Sequence, residues 1–391
     1  MSGEALALDA SGLFELRTSA GNAETSWLSG GLGKSRLDRQ HAALGQGMLV
    51  LDQSLGDTLS ASATVMLVAE QRARLDISEA SLLWRPLPSS AWRYTIKAGA
   101  FFPPGSLEND GPGWTTSRTL SASAINSWVG EELRIKGVEV DVLRAGRFAG
   151  SPHDFGFTLG AFTGNDPAGT LIAWRGWGVG DRIVGLTETI PLAPLPIYSP
   201  GGRLYGRQAP QLDNYHEIDG RPGYYLAARY GYAGMFDAQA LHYDNRADPH
   251  KVGHGQYAWD THYSAASGRW LPGGNTEILA QAMQGTTSMG TRVVHVDFAA
   301  WYVMASYRQG ADQLALRYEQ FRTRQGDIVP GDNNDEDGHA VTLAWTHPLG
   351  QQLQLVLQGQ TISSQRPARS KLGIAAAQLE HSLHFALRWQ L

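Results

Sequence analysis

Seven ionisable residues fall around one long stretch of the chain: Arg93, Lys97, Arg134 and Lys136 flank it, and Glu108, Asp110 and Arg118 lie within it. None sits in a nucleophile or metal-ligand pattern, so the chemistry on offer is electrostatic. Facing rows of opposite charge across a narrow passage orient polar solutes, and a mainly basic ring favours anions. Further bases extend this set. Arg175 stands between Trp174 and Trp177 with Arg182 beyond, Arg203 and Arg207 lie in a Pro/Gly-rich stretch, and Arg229 and Arg388 alternate with apolar neighbours. The run PGDNNDEDG gathers Asp332, Asp335 and Asp337 but lacks the EF-hand spacing and its closing Glu, so no metal is assigned. There is no HExxH or GxSxG motif, and His242, His262 and His384 offer no recognisable serine partner. The expectation is a protein without cofactor and without catalytic activity.

The elements that must position these groups read with a period of two. In Trp92 to Phe102 one face carries Trp92, Tyr94, Ile96, Ala98, Ala100 and Phe102, and the other Arg93, Thr95, Lys97, Gly99 and Phe101. Leu59 to Ala69, Phe155 to Ala161, Tyr224 to Tyr232 and Leu353 to Leu357 alternate likewise. Gly137 separates Leu133 and Ile135 from Val138, Val140 and Val142 in phase, which predicts a β-bulge. With 391 residues, 46 glycines, 18% charged residues and a net charge of −5, the composition excludes a disordered chain and a nucleic-acid binder relying on a basic field. Cysteine is absent, which removes disulfides and thiolate metal sites.

An antiparallel sheet of this length must pack on a second layer or close on itself. The segments run to about ten residues, as a tilted bilayer crossing requires, against about five or six in soluble sheets. Aromatics gather near strand ends at Trp84, Trp92, Tyr94, Tyr224, Tyr225, Trp301, Tyr302, Trp345 and Trp389, as an interfacial girdle would. The fold class is therefore all-β, a transmembrane antiparallel up-and-down β-barrel spanning 1–391 as one domain. A soluble all-β protein, a barrel-anchored enzyme and a plugged structural barrel are the alternatives. Nineteen segments read as strands or partners, among them 26–34, 169–175 and 183–190. An even count of 16, with 18 as the alternative, leaves some of them as loop or plug. Residues 103–130 are assigned to an inward constriction loop, with Leu107, Leu120, Ile125 and Trp128 packing it to the wall, and 191–222 to a long Pro/Gly-rich loop.

The closing LEHSLHFALRWQL sets Leu383, Phe385, Leu387, Trp389 and Leu391 on one face and resembles the assembly signal of bacterial outer-membrane barrels. The runs AGAFFPPGSLEN, TLSASAINSWVGEELRIKGVEV, AWRGWGVGDR, HEIDGRPGYY and NNDEDGHAVTLAW resemble the outer-membrane porins of the phosphate- and polyphosphate-selective type. That resemblance implies a 16-stranded homotrimer in the outer membrane of a Gram-negative bacterium, with an inward third loop and basic channel residues. Its partners would be outer-membrane lipid and small hydrophilic solutes or inorganic anions. The start, MSGEALALDA, has no basic and apolar leader, as a processed mature chain would show.

Overall fold

The computed structural model describes residues 8–37, 41–197, 206–291, 293–327, 329 and 331–391. Sixteen antiparallel strands close into one barrel. In chain order they are β1 (Leu8–Gly21), β2 (His41–Ser54), β3 (Leu59–Leu67), β4 (Leu75–Trp84), β5 (Trp92–Phe101), β6 (Ile135–Arg144), β7 (His153–Thr163) and β8 (Gly223–Tyr232). The second half continues with β9 (Phe236–Asp244), β10 (Asp260–Gly273), β11 (Thr276–Met289), β12 (Val294–Gln309), β13 (Asp312–Gln325), β14 (Glu336–Pro348), β15 (Leu353–Gln365) and β16 (Ala377–Gln390). Each strand pairs with its sequence neighbour, and β1 closes on β16 through pairs such as Leu13 with Gln390. Connections alternate between rims: tight turns such as 274–275 and 310–311 at one end, long excursions 22–40, 102–134 and 164–222 at the other.

The alternation places faces as the sequence demands. On β5 the outward Trp92 and Tyr94 are exposed while Phe101 points in and is buried. The outward face of β16 carries exposed Leu383, Phe385 and Trp389, opposite buried Ser382, His384 and Arg388. Three of the nineteen segments are not barrel strands. Residues 26–34 hold a single 3-10 turn, 170–174 form a short helix, and 183–190 are irregular apart from a two-residue pairing of Ile190 and Pro191 with Leu212 and Gln211. Their apolar residues serve the inside of the barrel, where periodicity carries no lipid signal. The third long excursion therefore starts at residue 164, well before the 191–222 loop read from its prolines.

Two other expectations are corrected. No bulge exists at Gly137: the pairs Lys136–Ala100, Gly137–Gly99 and Val138–Ala98 run in unbroken register. Ile135 is apolar because it faces a filled interior, so apolar residues occupy both faces and mimic a phase shift. Tyr225 and Tyr302, assigned to the girdle, point inward and are buried.

Much of the described part of each long excursion lies within the lumen. Helix α1 (Ala124–Glu132) is buried on every side, which explains why it lacks a polar face. Ser123 caps it by accepting from Asn126 N at 3.3 Å. Trp128 packs edge-on against Trp177 and Tyr263 and beside Phe298. Helix α2 (Thr170–Trp174) begins after Gly169, whose φ of +108° and closeness to the Thr287 hydroxyl admit no side chain. An aromatic row, Phe162, Tyr243 and Tyr263, stacks along the inner wall at centroid distances of 5.0 Å.

Tyr225 lies flat over Gly160, where a β-carbon would overlap the ring, and its hydroxyl donates to Glu139 at 2.7 Å. Gly160→Ala is expected to destabilise the folded barrel by about 1–3 kcal/mol through overpacking. The urea midpoint of the shift from fast-migrating folded to slow-migrating unfolded protein on unboiled gels measures this; an unchanged midpoint refutes the packing account.

Candidate functional site

Wall charges hold the inward segments. On β1, Arg17 reaches Asp181 Oδ2 at 2.6 Å, and Arg36 of the first excursion reaches Asp181 Oδ1 at 2.8 Å. Glu15 bonds Arg17 and also accepts from Arg388 Nε of β16 at 2.6 Å. On β13, Arg317 meets Glu108 at 2.6 Å and Glu319 at 3.0 Å, while Glu319 accepts from Ala124 N at the start of α1. Lys34 pairs with Glu336 of β14, and the backbone N–H groups of Lys34 and Ser35 donate to Glu380 of β16 at 2.9 Å. Within the plug, Glu131 accepts from Trp27 and pairs with Arg175. All these charged side chains are buried.

Burial and pairing move the acidities of the loop groups in opposite directions. Desolvation pulls the Asp181 carboxyl up, but the Arg17 and Arg36 guanidiniums outweigh it and hold Asp181 well below the usual carboxylate range. Glu132 has no such cation in contact; burial pushes it up to about 7, against hydrogen bonds from Leu171 N and Trp128. Burial lowers Lys34 to about 7 despite its pairing with Glu336.

The predicted residues distribute unevenly around this core. Arg93 and Lys97 face the lumen near the short-turn rim: Arg93 lies 4.2 Å over the Phe148 ring, and Lys97 sits 3.3 Å from Glu139 on β6. Two bases assigned to the same wall lie elsewhere. Arg134 precedes β6 and is buried with its guanidinium 3.4 Å over the Phe102 ring, donating to Val184 O at 2.8 Å. Lys136 takes the outward position because Ile135 takes the inward one, and its ammonium donates to Tyr215 O at 2.9 Å. Glu108 is consumed by Arg317, Asn126 and Ser123 N. Arg118 links the exposed Asp110 at 3.0 Å to Glu277 of β11, which also pairs with Arg269. Arg229 pairs with Asp141 across β7. Arg175 lies over the Trp27 ring at 5.5 Å, not between its neighbouring tryptophans. Arg182 is buried between Glu131 and Glu188, at 4.0 and 3.9 Å. Arg207 is exposed, and Arg203 lies outside the described residues.

The acidic run of the β13–β14 loop does not converge. Asp337 points outward to Arg324, Asp335 accepts from Gln325 N, and Asp332 is buried apart. The carboxylates whose oxygens do gather within 4.8 Å are Asp166, Glu217 and Asp219, tied to backbone N–H groups of their own loops.

Serine and histidine do meet on the outer wall, contrary to expectation. His242 stands 3.0 Å from Ser264, and His295 lies 2.7 Å from Ser288 and 3.5 Å from the exposed Asp297. His262 with Thr286 and His381 with Thr361 repeat the arrangement on other strand pairs. Four such cross-strand pairs are a ladder motif of the sheet, not one assembled nucleophile.

The interior is open at the short-turn end. A cleft of about 490 Å³ there is lined by Asp52, Ser60, Ser62, Glu79, Arg85 and Lys97. Its walls carry both signs on neighbouring strands, so the field alternates around the wall instead of running from wall to loop.

A 16-strand barrel with turns at one rim and inward excursions from the other is already a specific architecture. It is the fold of the outer-membrane porins. No protein-family model and no curated protein matches the chain, but solved structures do. The outer membrane channel DcaP of Acinetobacter baumannii superposes with a TM-score of 0.63 at 9% identity, over 100% of this chain and 99% of that one. The anion-selective porin from Comamonas acidovorans gives 0.53 at 12% identity over 98% and 99%, and a loop-deletion form of OmpT, an outer membrane protein of Vibrio cholerae, gives 0.55 at 9% over 99% and 100%.

Of the wall charges Arg388 was singled out in the sequence and Glu15, Arg17, Arg317 and Glu319 were not, although Glu15 with Arg17 and Arg317 with Glu319 lie two apart on faces that alternate with lipid-facing Phe14, Leu16, Leu316 and Tyr318. That spacing is the legible signal. Asp181→Asn leaves two buried guanidiniums short of a carboxylate, with an expected cost of about 3–5 kcal/mol; new protease cleavage within 164–222 in the folded, detergent-solubilised protein checks it. For Glu132 the folded pKa lies above the ordinary value of 4.5, so stability falls as pH rises from about 4.5 to about 7. Glu132→Gln should flatten the dependence of the urea midpoint across that interval, and an unaltered slope excludes the assignment.

Proposed function

We propose that the chain is a passive channel for small hydrophilic solutes, inorganic anions among them, acting as a homotrimer in the outer membrane of a Gram-negative bacterium. The observation that carries this reading is the closed 16-strand barrel whose lumen is narrowed by inward segments pinned through charges and opens, at the short-turn rim, onto a charged, wet cleft. Sixteen strands enclose more space than wall side chains fill, so inward segments set the passage. The porin architecture and the description of structural neighbours as a channel and as an anion-selective porin support it. For anions, the groups at the entrance are Arg93 and Lys97; the phosphate type of the resemblance is retained as the narrower form.

Burial of α1, α2 and the tryptophans they carry favours a second reading, a barrel permanently plugged by its own loops. Purified protein added to planar bilayers separates the two. Discrete conductance steps are expected, and folded protein that leaves the bilayer silent selects the plug. In a salt gradient, Arg93→Gln with Lys97→Gln should move the reversal potential toward cation preference by several millivolts; no movement removes these residues from the ion path.

A further inference from the structure

The open cleft at the short-turn rim holds charges that the rest of the chain leaves unanswered. Asp9 of β1 and Asp52 of β2 are cross-strand partners and both line the cleft, so two carboxylates stand side by side where like charges repel. Among the described residues neither carboxyl has an ion pair or a hydrogen bond, and the exposed guanidinium of Arg85, just past the end of β4, has none either. Nearer the same rim Arg229 is taken by Asp141 and Arg269 by Glu277, so wall charges elsewhere do find partners. Lys97 of β5 is committed only in part: it lies 3.3 Å from Glu139 and leaves 27% of its side chain exposed. Between the two signs runs a strip of hydroxyls. Asp52 pairs with Ser62 on β3 and Ser62 with Ser81 on β4, and neither serine hydroxyl is hydrogen-bonded within the chain.

We infer that this cleft is a binding site for a zwitterionic solute of short-peptide size, its ammonium held by Asp9 and Asp52 and its carboxylate by Arg85 and Lys97. The inference rests on the channel reading of the proposed function and names a solute class for its short-turn entrance. Charge selects the class. An inorganic anion that meets Arg85 leaves the Asp9–Asp52 repulsion in place, and a lone cation between the aspartates leaves Arg85 unanswered; only a molecule carrying both signs satisfies both ends. Spacing selects the size. β2 and β5 are three strand spacings apart, about 14 Å between backbones, and an α-amino acid, with both charges on one carbon, is too short for the gap that the Asp52 and Lys97 side chains leave. A dipeptide separates its charges by an amide, whose N–H and C=O meet the Ser62 and Ser81 hydroxyls, groups that both donate and accept. The carboxylate gains a forked pair of charge-assisted bonds from Arg85. The cleft volume of about 490 Å³ holds a ligand of this size.

The test is saturation-transfer NMR of glycylglycine titrated into the full chain in detergent at pH 7 and low salt, with unboiled gels confirming a folded barrel. Saturable binding is expected. N-acetylglycylglycine and glycylglycinamide, each lacking one of the two charges, should bind about tenfold more weakly, and so should glycine. Asp52→Asn and Arg85→Gln should each weaken glycylglycine binding about tenfold. Both alter exposed side chains, and Asp52→Asn relieves a repulsion, so the folded barrel is retained. Absence of binding, equal affinity for either blocked peptide or for glycine, or indifference to both substitutions each overturns the inference. Conductance of the same samples keeps the readings apart: a conducting barrel that ignores glycylglycine refutes the site and leaves the channel standing, whereas saturable binding to a barrel that stays silent in bilayers does the reverse.

Discussion

Strand alternation delivers every second residue to the inside of a barrel, and where chain replaces water there, each charge so delivered must be met by another. The structure follows from that requirement. Glu15 and Arg17 on β1, Arg317 and Glu319 on β13, and Glu336 and Glu380 on β14 and β16 all point into space that the excursions occupy. An uncompensated charge in such surroundings costs several kcal/mol, so each takes a partner: Glu15 takes Arg17 and Arg388 of the wall, and the others draw on an incoming segment. Asp181, Glu108, Lys34 and the N–H groups at the start of α1 are those partners. Apolar packing is non-directional and would hold the same segments in many orientations; charge pairs with fixed wall positions leave one.

The barrel was legible because its outward face answers to a uniform solvent. Leu59, Ala61, Ala63, Val65 and Leu67 must all be apolar, and such a run is visible without knowing its neighbours. Sixteen of the nineteen segments recognised in this way are strands, and the other three, 26–34, 169–175 and 183–190, fail for one reason. Their apolar residues face other protein, and a short apolar run packed inside a barrel is indistinguishable by periodicity from one packed against lipid. The same ambiguity turned Ile135 into an apparent phase change and thereby set Lys136 on the wrong face. The inward course of 103–130 was legible from its length and from Trp128, yet its partners were not. Glu108 and Arg317 are far apart in sequence, and only closure of the sheet brings β13 opposite the loop.

The polar upper wall from β9 to β14 shows where the uniform-solvent argument ends. Gln320, Arg322 and Arg324 continue the alternation of Leu316 and Tyr318 without a break in register, so the backbone treats them as lipid-facing positions while their chemistry does not. Read as pattern alone, such a strand loses half its signal, which is why β11 and β13 were placed with edges short of their observed ends.

Charge pairing also bears on whether inward segments can move. A plug held by apolar burial becomes less stable as water enters, because apolar surfaces that separate are left facing water. A buried ion pair behaves differently: its Coulomb gain is largely offset by the desolvation of both partners, so admitting water returns most of what separating the charges removes. The segments around Asp181 and Glu108 thus combine a strongly specified position with a modest net preference for it. Trp128 and Trp177 oppose this, since their rings have no equivalent compensation in water. Residues 106–118 carry three ionic groups, Glu108, Asp110 and Arg118, beside one aromatic ring, Trp114 stacked on Phe102, whereas α1 is anchored by Trp128.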